Sequence, residues 1–144
     1  MAEKYTYSGI LSKIAVLEEK IRDFYEKSLE KLSGKAKKLF EEYAKETNEW
    51  IDKINWTRQM SVLEMTLEYI TGVPLEETIN DIEKIISDES KKLIEKAIEI
   101  EKKVSKIYDV SADKIYFMSM DASFLLSEMA KKSRERIEKL SKLL

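Results

Sequence analysis

The residues best placed to do chemistry are two glutamates and the tyrosines that follow them. Glu18 lies in LEEKIRDFY, seven residues before Tyr25, and Glu101 lies in IEKKVSKIY, seven residues before Tyr108. Seven residues is about two helical turns, so each carboxyl shares a helix face with its phenol. Both glutamates fall in apolar rows. Glu18 stands one turn after Ile14 and just before Ile21, and Glu101 stands one turn after Ala97 and just before Val104. A carboxylate facing an apolar interior has its pKa raised by up to roughly 3–5 units. It therefore needs a cation, a metal or hydrogen-bond donors. The plainer reading makes each glutamate a boundary residue whose head reaches water, and Tyr25 and Tyr108 ordinary core aromatics.

A second pair of segments repeats the theme. YAKETNEWIDKI (43–54) and MAKKSRERIEKL (129–140) align with Ala44 on Ala130, Thr47 on Ser133, Trp50 on Arg136 and Ile51 on Ile137. Together the two echoes point to an internal duplication, each half a helical hairpin. Chance likeness among Lys/Glu-rich helices competes with that reading. A shifted alignment makes Glu46 and Glu49 a carboxylate pair. Glu46, however, lies at the edge of the apolar row, and Glu49 falls beside Lys45 and Lys53 on the polar face. The other half offers only Glu128 and Glu135, seven apart, with no matching pair.

Composition narrows the chemistry. The chain contains no cysteine and no histidine, which excludes disulfides, thiolate or imidazole metal ligands and a Cys nucleophile. Carboxylates, Lys, Tyr, Ser, Thr or a bound cofactor remain. Lys+Arg (26) nearly balance Asp+Glu (28), giving net charge −2, so no nucleic-acid surface is expected. No apolar run approaches 18 residues, and the N-terminal stretch has no apolar signal region. The expectation is a soluble, cytoplasmic chain without a membrane partner. The Lys-, Glu- and Ile-rich composition is of a thermophile type.

The elements that must position these residues are helices. Three glycines and one proline interrupt 144 residues, and no strand alternation is sustained. The first helix is expected from Ser8 to Leu32, ended by Gly34 in a left-handed cap. The second starts near Lys35 and either continues through Val62, Met65, Tyr69 and Ile70 or breaks near Asn55; the long form is favoured. TGVP (71–74) stops it, and a short helix follows over 75–87. A third long helix, capped by Ser87 or Asp88, spans 89–109. DVSAD (109–113) is read as a break and KIYFMSM as an irregular piece. The last helix runs 121–143 with Phe124, Leu125, Met129, Ser133, Arg136, Ile137 and Leu140 inward. Two tight hairpins joined by a long connection imply an all-α, four-helix bundle with a crossover, in a single domain over 1–144.

On these residues the chain resembles small rubrerythrin-like members of the ferritin-like superfamily. The resemblance covers the four long helices. It implies two helices that each supply a Glu followed seven residues on by a Tyr, as Glu18–Tyr25 and Glu101–Tyr108 do here. It implies Glu-x-x-His from each of the other two, the six groups holding two metal ions. Here the second element has changed: Thr47 and Trp50 stand in one half, Ser133 and Arg136 in the other. The resemblance thus implies a degenerate dimetal centre. Arg136 is expected to form a buried Glu18–Arg136–Glu101 cluster, helped by Tyr25, Tyr108, Thr47 and Ser133. Trp50 is expected to fill the lost site and donate its indole N–H.

Two functions compete. The first is a non-enzymatic binding or structural protein without metal or cofactor, a homodimer associating through apolar residues of NWTRQMSVLEMTLEYITGV and KIYFMSM. The second is an iron- or manganese-binding carboxylate protein with oxidase or peroxidase activity, its ligands drawn from Glu18, Glu101 and Glu46. A carboxylate acid/base enzyme ranks behind both, because no residue pattern supplies a substrate site.

Overall fold

The computed structural model describes residues 3–60 and 69–144. Among these residues five helices form an all-α bundle: α1 (Tyr7–Ser28), α2 (Gly34–Met60), α3 (Leu75–Ser87), α4 (Leu93–Ile115) and α5 (Met120–Ser141). Two short strands, β1 (Lys4–Tyr5) and β2 (Ile70–Thr71), pair antiparallel with Tyr5 opposite Ile70. Among the described residues no helix is long and apolar enough to cross a membrane.

Local chemistry sets most boundaries. The Thr6 hydroxyl accepts from Gly9 N at 3.0 Å and starts α1 one residue ahead of the expected Ser8. α1 ends at Ser28 and tightens into a 3-10 turn over Leu29–Lys31, after which Leu32 is extended. Gly34 holds φ at +61° where the chain reverses into α2. α2 passes through Asn55 without a break. The expected continuation through Val62 and Met65 lies outside the described residues. Ile70 belongs to β2 and Tyr69 to no helix, which corrects the longer reading of α2.

The largest correction concerns α4. It begins at Leu93, and Asp88 instead accepts from Ser90 N and Oγ at 2.9 and 2.6 Å. That local turn uses up the side chain expected to cap the helix. DVSAD does not break α4, because Ser111, Ala112 and Ile115 extend the buried row from Tyr108 at helical spacing. In α5 the Ser119 hydroxyl accepts from Ala122 N. The inward row is Ala122, Ser123, Leu126, Met129, Ala130, Ser133, Arg136 and Leu140. Phe124 is out of phase with it and 58% exposed.

The topology follows from cross-helix contacts. Arg22 bonds Asn48, and Tyr25 stacks edge-on against Phe40, so α1 and α2 are antiparallel. Arg134 pairs with Asp109 and the Ser123 hydroxyl donates to Ala112 O, so α4 and α5 are antiparallel too. Lys13–Glu76 and Lys20–Glu83 show that α3 runs parallel to α1. It carries the chain back along the bundle to the end where α4 begins. α1 and α4 are therefore antiparallel, and the long helices run up, down, down, up with α3 as the crossover.

The two halves match in burial. Positions 83 apart in α1 and α4 are buried together: Ile14 and Ala97, Leu17 and Ile100, Glu18 and Glu101, Ile21 and Val104, Tyr25 and Tyr108, Ser28 and Ser111. Positions 86 apart do the same in α2 and α5: Phe40 and Leu126, Thr47 and Ser133, Trp50 and Arg136, Ile54 and Leu140. A continuous core draws on all five helices.

Candidate functional site: a buried guanidinium at the bundle centre

α1 and α4 bring their glutamates and tyrosines face to face, and the bonds run crosswise. The Tyr25 hydroxyl donates to Glu101 Oε2 at 2.6 Å, and the Tyr108 hydroxyl donates to Glu18 Oε1. Each half thus supplies the phenol for the other half's carboxyl. Glu18 and Glu101 are 1% and 0% exposed, so neither is a boundary residue reaching water. Their second oxygens, Glu18 Oε2 and Glu101 Oε1, have no partner.

α5 places Arg136 in the same layer, 2% exposed. Its Nη1 donates to Glu101 Oε2 at 3.0 Å. Its Nη2 donates to Glu46 Oε1 at 2.8 Å and to Thr47 Oγ1 at 3.2 Å, with Nε also reaching Glu46 at 3.2 Å. Tyr43 O accepts a longer bond at 3.4 Å. Aromatic rings surround the cation: the Trp50, Tyr43 and Tyr25 centroids lie 4.4, 4.7 and 5.7 Å from Cζ. A delocalised, weakly hydrated guanidinium suits such a cage better than an ammonium.

The expected Arg136–Glu101 contact is present, whereas Arg136 makes no hydrogen bond to Glu18. Glu46 takes that place. It projects from the edge of α2 and wraps inward with 31% of its side chain exposed, while among the described residues Glu18 accepts from Tyr108 alone. Thr47 joins the cluster, but Ser133 does not, its hydroxyl being buried without a partner. Trp50 meets Arg136 with its ring instead of donating its N–H. Tyr43 is the member of the cage that the sequence does not single out. Its spacing of four residues before Thr47 and seven before Trp50 was the available signal.

Burial pushes Glu18 up to about 8, against the opposing Tyr108 hydrogen bond and the Arg136 charge. At neutral pH it is mainly the neutral acid. Burial also raises Tyr25 and Tyr108 well above the usual phenol value, reinforced by Glu101 and Glu18 respectively. Tyr43 is pushed up to about 12, again mainly by burial. Burial works against the charge on Arg136, but the Glu101 carboxylate and its neighbours outweigh it and hold the guanidinium protonated.

A metal pair of the kind the resemblance implies does not fit these residues. Glu18 Oε2 and Glu101 Oε1 are unpartnered, but Glu101 Oε2 is shared by Tyr25 and Arg136, and the fixed positive charge of the guanidinium, bound to Glu101 and Glu46, opposes further cations in this layer. Among the described residues no group of three or more acids is disposed to hold an ion. No family model, no curated protein and no solved structure matches this chain.

Proposed function

We propose that the chain is a rubrerythrin-related, ferritin-like bundle whose dimetal centre has been replaced by a side-chain cation, and that it acts as a non-enzymatic binding or structural protein. The observation that carries this reading is the buried Arg136 guanidinium, bound to Glu101 and Glu46 where a metal-binding layer would lie. The up-down-down-up course, the α3 crossover and the paired Glu–Tyr faces of α1 and α4 support the lineage. With the cation covalently attached, the layer needs no bound ion to balance its carboxylates.

The protein works as a homodimer in this reading. Trp56, Met60, Tyr69, Phe117, Met120 and Phe124 are all exposed, and they lie toward the end of the bundle where α2 finishes and α4 turns into α5. An exposed apolar surface of that kind marks an association site. Elemental analysis of protein made in iron- and manganese-replete medium tests the central point. Well under one tenth of an ion per chain is expected. One or more tightly held ions per chain restores the oxidoreductase alternative.

A further inference from the structure

Away from the centre, a groove of about 390 Å³ opens between the end of α1, the end of α3 and the start of α4. That volume is within the range of small-molecule sites, about 300–1,000 Å³. Its apolar wall is Phe24, Ile86 and Leu93, and its cationic groups include Lys27, Lys31 and Lys96.

Lys96 is the informative residue. It is only 7% exposed, yet among the described residues its ammonium has one acceptor, Ile86 O at 2.9 Å. That bond caps the end of α3 and leaves two of the three N–H donors unused. Lys27 and Lys31 make no ion pair among the described residues, whereas Lys20 at the same rim is tied to Glu83 at 2.7 Å. Asp23 is held by Arg22 at 3.4 Å. Four lysines against Asp23 and Glu83 leave the lining with two positive charges to spare. Leu93 opens α4 without a side-chain cap, so the positive end of a 23-residue helix borders the same space.

We infer that this groove binds a small phosphate monoester carrying an apolar body. The dianion balances the two surplus charges. Compact ammonium groups suit a phosphate as point charges, where a planar carboxylate would favour arginine. The apolar wall takes the organic part. The inference is independent of how the bundle centre is read.

Phenyl phosphate is the probe, titrated into the full chain and followed by amide chemical shifts. Saturable shifts confined to the ends of α1 and α3 and the start of α4 are expected. The Lys27→Gln/Lys31→Gln variant, altered only at exposed positions, is expected to bind about tenfold more weakly with an unchanged spectrum otherwise. Lys139→Gln/Lys142→Gln, at the separate lysine-lined groove between α2 and α5, is expected to bind like the parent. Phenol binding as tightly as phenyl phosphate, no saturation below 10 mM (roughly the limit of a specific weak site), or equal weakening by both lysine variants overturns the proposal. Inorganic phosphate binding as tightly as the ester removes the apolar body from it.

Discussion

Replacing Arg136 with leucine removes the charge but keeps much of the apolar volume against Trp50 and Tyr43. Glu101 then retains one donor, the Tyr25 hydroxyl at 2.6 Å, and loses the guanidinium at 3.0 Å. At 0% exposure it has no route to water. Glu46, with 31% of its side chain exposed, swings back into solvent at little cost. The penalty therefore falls on Glu101, and orphaning one member of a buried pair costs about 3–5 kcal/mol. For a chain of this size that is a fall in Tm of about 10–15 °C. Denaturant unfolding followed by circular dichroism measures it. Adding Glu101→Gln to the leucine variant removes the orphaned charge and is expected to restore at least half of the loss, whereas Glu46→Gln alone changes stability by under about 1 kcal/mol. An Arg136→Leu protein unfolding at the parent's midpoint, or a double variant no better than the single, refutes the reasoning.

Three further outcomes follow from the same geometry. Because Glu18 is raised from 4.5 to about 8, the folded chain keeps a proton that the unfolded chain loses, and stability declines as pH rises between those values, by up to about 1.4 kcal/mol per unit. Glu18→Gln is expected to flatten that decline, and an unchanged slope contradicts the assignment. Tyr108→Phe removes the phenol hydrogen bond to Glu18 and is expected to cost about 1–3 kcal/mol, while moving the carboxyl titration, read by carbon NMR, to higher pH. Sedimentation is expected to show a dimer at micromolar concentration that Phe117→Glu/Phe124→Glu converts to a monomer with an unchanged melting curve. A monomeric parent refutes that surface.

Much of the bundle is legible in the sequence, because helical spacing of apolar residues and a few breakers settle element type. The short helix at 75–87 is placed by Pro74 and the TGVP stop. DVSAD misleads because small polar residues resemble a turn, whereas Ser111 and Ala112 are small enough to pack inside the bundle. Phe124 misleads because bulk and hydrophobicity suggest an inward position that its phase along α5 denies. At the centre, the inward positions of Glu18, Glu101, Thr47, Trp50, Ser133 and Arg136 follow from row membership alone. Which carboxylate each donor reaches does not, since it depends on the angle between helices. The crosswise Tyr–Glu bonds arise from the antiparallel packing of α1 against α4. Glu46 reaches Arg136 because its side chain is long enough to bend in from the edge of α2.

The most direct measurement is anomalous diffraction at the iron and manganese edges from crystals of protein prepared with both metals in excess. A planar guanidinium within about 3 Å of Glu101 and Glu46, with no anomalous peak in that layer, is the expected result. Paired anomalous peaks between α1 and α4, with Arg136 turned toward solvent, contradict the replacement of metal by a side-chain cation.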